Sequence, residues 1–110
     1  MASARADLLQ GTLDLLILQT LLVAEPLLGW AISRRIRERS SEVLQVNQGS
    51  LYPALHRLED EGWIDAEWGT VNGRRAKVYR LTAAGRRQLQ REEAGWLDFV
   101  QAVTQVLRTA

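Results

Sequence analysis

The side chains best suited to contact another molecule lie in two short stretches of the chain. The first stretch combines hydrogen-bonding groups with the only histidine, and contains Gln48, Ser50, Tyr52, Pro53, His56 and Arg57. The second stretch is basic and contains Asn72, Arg74, Arg75 and Lys77. The planar fork of arginine suits bidentate contact with a phosphate or a guanine base. Both stretches favour nucleic acid as the partner, although arginines beside a turn are also typical of a solvated loop.

The arrangements that catalytic and metal sites need are absent from the sequence. Cysteine is missing, and no glycine-rich phosphate loop, pair of inward carboxylates or His/Asp/Glu cluster is apparent. His56 is expected on the outer face of a helix beside Tyr52 and Arg57, where no convergent set of catalytic groups is apparent. We therefore predict that the protein is not an enzyme, has no disulfide and binds no metal or cofactor.

Composition limits the class of protein further. The chain has 110 residues, of which 46% are hydrophobic and 25% charged, so we expect one ordered domain. The net charge of +1 by itself says nothing about nucleic acid. The richest apolar run, residues 13–24, is interrupted by Asp14, Gln19 and Thr20 and is too short to span a bilayer. The first residues lack the pattern of a signal peptide, so a cytoplasmic protein without a membrane partner is predicted.

Hydrophobic periodicity predicts three helices, over residues 8–24, 27–39 and 50–61. The first is apolar on almost every face, which is typical of a helix that is buried or shared with a second subunit. The third places Leu51, Ala54, Leu55 and Leu58 on its inner face and leaves Tyr52, Pro53, His56, Arg57 and Asp60 outside. Asn47 or Ser50 is expected to cap this helix, and Gly62 to end it.

After Gly62 the period changes from 3.6 to 2, which predicts strands over residues 63–69 and 76–81. Asn72-Gly73 supplies the turn of a hairpin between them. Three helices followed by a basic hairpin form a winged helix-turn-helix, with the third helix entering the major groove by its N-terminus. Trp30, Trp63 and Trp68 are expected in the core or in wing packing. A winged-helix module that binds a protein remains the alternative.

Thr82 is expected to cap a final helix over residues 83–108, roughly 37 Å long at 1.5 Å per residue. Its apolar residues recur at the spacing of a coiled-coil seam and extend further than one small domain can cover. We therefore predict a homodimer whose interface includes Leu13, Leu16, Ile17, Leu89, Trp96, Phe99, Val100, Val103 and Leu107. The predicted fold is mainly α with a small β-hairpin (α+β). We expect residues 1–82 to form the DNA-binding part and residues 83–110 to form the dimerisation helix.

Residues 9–15, 48–59 and 74–82 together resemble the PadR family of bacterial transcriptional regulators, and the likeness covers nearly the whole chain. The single C-terminal helix resembles the short subfamily, whose members dimerise by exchanging this helix and the first one. The resemblance implies a repressor that binds a pseudo-palindromic operator in double-stranded DNA, with activation as the alternative. One departure is visible, because Leu28-Gly29-Trp30 stands where the family commonly has His-Gly-Tyr.

Trp96 is singled out by the same resemblance. In multidrug-sensing relatives, a tryptophan of the C-terminal helix stacks on planar aromatic ligands at the dimer interface. Trp96 falls at the matching position, which makes a small planar aromatic effector a candidate partner. Plain packing between two subunits is the alternative, because aromatic residues are common in such interfaces.

Overall fold

The computed structural model describes the backbone of residues 2–109 and the side chains of residues 11–109. Within this part the helices are α1 (Ala2–Val23), α2 (Gly29–Arg39), α3 (Gln48–Asp60) and α4 (Ala83–Arg108). The strands are β1 (Leu27–Leu28), β2 (Ile64–Val71) and β3 (Arg74–Leu81), which form an antiparallel sheet in the order β1-β3-β2. The mainly α architecture with a small sheet and a long C-terminal helix confirms the predicted fold class.

Local sequence signals determine where most elements begin and end. The Asn47 side chain accepts a hydrogen bond from the Ser50 backbone N–H at 2.8 Å, so Asn47 is the cap of α3. Gly62, with φ of 76°, follows the end of α3 as predicted. Asn72 and Gly73 both have positive φ, as a two-residue hairpin turn requires. The Thr82 hydroxyl caps α4 by accepting a hydrogen bond from the Gly85 N–H at 3.0 Å.

The structure differs from the prediction at the start of α2. Leu27 and Leu28 form the short strand β1, whereas the periodicity had included them in the second helix. They pair with Tyr79 and Val78 of β3, so the hairpin becomes a three-stranded sheet. After α2, Ser41 and Glu42 both have positive φ and turn the chain towards α3.

The hydrophobic core lies between the first three helices, the sheet and the beginning of α4. It contains Leu13, Ile17, Leu18, Leu21, Ile32, Ile36, Leu51, Ala54, Leu55, Leu58, Ile64, Tyr79, Leu81 and Leu89. The prediction that Leu13, Ile17 and Leu89 form a dimer interface is therefore wrong, because these side chains are already buried within one chain. Leu16 packs against the same core and is partly buried.

The two halves of α4 have different surroundings. Gly85 and Leu89 in the first half are buried against the body of the molecule. The second half carries large apolar side chains that are exposed, namely Trp96, Leu97, Phe99, Val100, Val103, Val106 and Leu107. The molecule is correspondingly elongated, with principal extents of 59 × 27 × 24 Å. Among the helices described, none has the length and apolar character needed to cross a membrane.

Candidate nucleic-acid interface

The N-terminal half of α3 presents a polar face to solvent. Gln48, Ser50, Tyr52, Pro53 and His56 are exposed, while the leucines on the opposite face are buried in the core. Pro53 lies in the second turn of α3 rather than in the first, because the helix begins earlier than predicted. Since proline has no N–H to donate to the residue four positions earlier, the helix surface also offers a backbone acceptor at Gly49.

Arg57 does not belong to this exposed face. Its Nη2 forms a salt bridge with Oδ1 of Asp14 on α1, and its side chain is only 35% exposed. The prediction that Arg57 points outwards from the third helix is wrong in part, because its guanidinium is paired with a carboxylate of α1, and its contact with DNA stays a prediction. The guanidinium joins α3 to α1.

The hairpin of β2 and β3 forms the wing predicted from the sequence. Asn72, Arg74 and Arg75 at its tip are exposed. The guanidinium of Arg75 lies 5.3 Å from the ring centre of Trp68, within the range of a cation–π contact. This contact places the guanidinium over the indole on one face of the hairpin.

Lys77 has a different environment from the two arginines. Its Nζ lies 3.4 Å from Oε1 of Glu59 on α3, and the side chain is partly buried. Lys77 lies in the middle of β3, opposite Trp68, and its charge is paired with a carboxylate of α3, so it differs from the exposed arginines at the tip. The salt bridge joins α3 to the wing.

The first turn of α2, the outer face of α3 and the strands of the wing border one cleft of about 450 Å³. Its walls include Trp30, Tyr52, His56, Trp68 and Lys77. The expectation that Trp30 and Trp68 are core or wing-packing residues is wrong in part, because they are 49% and 58% exposed. Trp30 is off the inner stripe of α2, which is the signal that could have placed it on the surface. Trp63 is partly buried against the core, as expected.

A group of charged side chains lies behind α3, where α1 and α4 approach each other. Burial raises the pKa of Asp14 above its ordinary value, although the charge and hydrogen bond of Arg57 lower it. Burial also raises the pKa of Glu92 on α4, while a hydrogen bond from the Gln88 amide lowers it. Oε2 of Glu92 is buried and has no hydrogen-bond partner among the described residues. Ionisation of either carboxyl group therefore costs more free energy in the folded chain than in water.

Helices α2 and α3, the wing and the polar helix face between them define a winged helix-turn-helix protein of the DNA-binding class. A sequence profile of the transcriptional regulator PadR-like family matches residues 17–91. The chain therefore belongs to the PadR-like family of transcriptional regulators.

Individual relatives agree with this assignment. The chain is 45% identical over 67 residues to a transcriptional regulator of Mycobacterium tuberculosis, covering 61% of this chain and 63% of the relative. A PadR family transcriptional regulator from Eggerthella lenta has a similar structure, with a TM-score of 0.82, 31% identity and coverage of 99% of this chain and 93% of that one. A transcriptional regulator from Clostridium thermocellum gives a TM-score of 0.83 at 27% identity, over 90% of this chain and 96% of that one.

Proposed function

We propose that the protein is a cytoplasmic, homodimeric transcriptional repressor that binds a pseudo-palindromic operator. The observation that carries this proposal is the common cleft on which the polar face of α3 and the wing both border. A helix end and a basic hairpin on one side of a protein can occupy a major groove and the neighbouring backbone at the same time. In this proposal residues 1–82 bind DNA and residues 83–110 hold the dimer together.

The two parts of the surface have different roles in binding. Gln48, Ser50 and His56 carry the hydrogen-bonding groups that would read base edges from the N-terminal half of α3. Arg74 and Arg75 are exposed cations on the wing and would contact phosphates, which carry no sequence information. Glu59, Asp60 and Glu61 at the other end of α3 would be repelled by phosphates, which favours entry of the helix by its N-terminus.

Selection of tight-binding duplexes from a random pool tests the proposal and yields the operator. We expect two symmetric half-sites, with centres about one helical turn apart. Gln48→Ala should cost about 1–3 kcal/mol on the selected site and little on random duplexes. Arg74→Gln should weaken binding to the selected site and to random duplexes alike, and should reduce the slope of log K against log salt by about one. Arg86→Gln, an exposed arginine at the start of α4, is the matched control. Equal losses on both kinds of DNA for Gln48→Ala would contradict the division of roles.

The direction of regulation needs a separate measurement. A promoter that contains the selected operator can be transcribed in vitro with and without the protein. Repression requires fewer transcripts when the protein is present, and an increase would instead assign activation.

Homodimerisation is supported by the exposed stripe on the second half of α4. Trp96, Val100, Val103 and Leu107 follow the spacing of a coiled-coil seam and remain open to solvent in one chain. Contiguous apolar surface of this kind is typical of an interaction site. A second copy pairing along α4 would cover it and bring two copies of α3 to one face of the dimer.

We propose further that a planar aromatic effector binds beside Trp96. Trp96 and Phe99 have ring centres 6.0 Å apart and border a cleft of about 340 Å³ between α1 and α4. Glu92 borders the same cleft and could select a cationic ligand. Titration with planar dyes should quench tryptophan fluorescence in the wild type and not in Trp96→Ala. Quenching that persists in Trp96→Ala would place the dye elsewhere, and no quenching by any dye would leave Trp96 as a packing residue.

A further inference from the structure

Aromatic side chains from three different elements surround the cleft beside α3. Trp30 comes from the first turn of α2, Tyr52 from α3 and Trp68 from β2. All three are exposed, and polar and charged groups of His56 and Lys77 border the same cleft. An exposed apolar patch with a polar rim is typical of an interaction site. We refer to it as the aromatic cleft.

Contacts around the cleft position two of these rings, Tyr52 and Trp68, before any partner binds. A Cβ at Gly29 would lie 2.9 Å from both Cε1 and Oη of Tyr52, so only glycine lets this ring rest against the start of α2. Trp68 and Lys77 are cross-strand partners in β2 and β3. Tyr79, which is buried, lines the cleft from the sheet. The walls formed by Tyr52 and the sheet are therefore preformed, so binding there loses little freedom of these side chains.

The position of the cleft limits what can occupy it. If α3 lies in a major groove and the wing tip reaches the neighbouring minor groove, one DNA strand must cross the surface between them. The aromatic cleft is this surface, because α3 forms one wall and the hairpin forms another. On this reasoning, which rests on the proposed function, we propose that the aromatic cleft receives the deoxyribose–phosphate strand that separates the two grooves.

The chemistry of the walls matches the two components of that strand. The C–H faces of deoxyribose rings are apolar and pack against aromatic rings, as Trp30 and Trp68 provide. Arg75, held over Trp68, supplies a cation next to the apolar surface for the adjoining phosphate. Bases in a duplex remain stacked and face the grooves, so the rings contact sugars instead of reading sequence. The contact consequently increases the affinity for any DNA sequence, and this increase does not depend on salt concentration, because no counterion is released from a phosphate.

Truncation of Trp30 is the direct test, with binding measured at several salt concentrations on selected and random duplexes. We expect Trp30→Ala to weaken both by about tenfold, as removal of a half-exposed indole contact predicts. The slope of log K against log salt should stay unchanged, because no phosphate contact is lost. Trp30→Phe should recover most of the affinity. Val43→Ala, which truncates an exposed apolar residue outside the cleft, is the matched control and should bind like the wild type.

A fluorescence measurement tests the same contact without removing it. A variant with Trp63→Phe and Trp96→Phe keeps only the two indoles of the cleft. Duplex DNA should protect these indoles from acrylamide quenching in the variant. If protection is absent at a DNA concentration that saturates this variant in a mobility-shift assay, or if Trp30→Ala binds DNA as tightly as the wild type, the proposal is overturned while DNA binding stands. Failure of the wild type to bind any duplex would instead overturn the proposed function. Planar dyes that quench the two indoles without competing with DNA would assign the cleft to a small molecule and also overturn the proposal.

Discussion

Replacing Val100 by aspartate is the sharpest test of the dimer. Val100 lies in the middle of the apolar stripe on α4 and is exposed in the single chain. Because it lies beyond the part of α4 that packs on the body, the substitution should leave the folded chain intact. Circular dichroism of the variant should therefore show the helix content of the wild type.

The expected effect on association is large because a symmetric dimer contains the substitution twice. Burying an ionised carboxylate without a partner costs several kcal/mol, and even 2–3 kcal/mol per subunit gives about 5 kcal/mol per dimer. That corresponds to a dissociation constant raised by roughly three to four orders of magnitude. A dimer that is stable at micromolar concentration would then sediment as a monomer.

Sedimentation equilibrium over a wide range of protein concentrations measures this change. Gln101→Asp is the matched control, since it introduces the same charge on an exposed residue one position further along α4. We expect Gln101→Asp to associate like the wild type. An unchanged association state for Val100→Asp, or a wild type that is a folded monomer at micromolar concentration, would refute the assignment of α4 as the interface.

Three further outcomes concern the packing of α1, α3 and α4. Gly85→Ala should lower the free energy of unfolding by several kcal/mol, because a Cβ there would overlap the Trp63 carbonyl oxygen. Gly95→Ala should raise the free energy of unfolding by up to about 1 kcal/mol, because a Cβ there would meet no atom within 4 Å. Urea unfolding of both variants checks this, and a loss at Gly95 would instead indicate a neighbouring chain against that position. Since burial raises the pKa of Asp14 and Glu92, the folded chain binds more protons than the unfolded chain just above their ordinary values of 3.8 and 4.5. Unfolding free energy should therefore fall as pH rises through that window, and Glu92→Gln should make the decline shallower; a stability that rises with pH there would contradict the assignment. A double-mutant cycle on Asp14→Asn and Arg57→Gln should give a coupling free energy of about 1 kcal/mol, because the Asp14 side chain is only 14% exposed. Additive effects of the two substitutions would show that the salt bridge does not contribute to the stability of the fold.

Elements defined by local signals were predictable from the sequence. The helical spacing of Leu51, Leu55 and Leu58 gave the inner face of α3, and Asn72-Gly73 gave the hairpin turn. These signals depend on residues within a few positions of one another, so one chain is enough to interpret them. The strand β1 was missed because two residues carry no period, and only pairing with β3 identifies them as a strand.

Long-range pairing accounts for most of the misplaced site residues. Arg57 was expected outside because a helical wheel shows only its own helix, and Asp14 lies 43 positions away. Lys77 was grouped with the exposed wing arginines for the same reason, since its partner Glu59 is on another element. The helical spacing of Leu13 and Leu89 is typical both of a hydrophobic core and of a dimer seam. Only the burial of these two side chains within one chain assigns them to the core.

The short strand β1 has a consequence for the thermodynamics of DNA binding. A two-stranded hairpin is only marginally stable in water, and a loose wing would lose conformational entropy when DNA ordered it. Here Leu27 and Leu28 add a third strand to the hairpin, and the Glu25 carboxylate accepts a hydrogen bond from the Leu81 N–H at 2.7 Å. The wing and the start of α2 are thereby ordered together when the chain folds. Association should consequently proceed with little entropy loss from the wing, so that Arg74 and Arg75 meet the duplex from an already ordered hairpin.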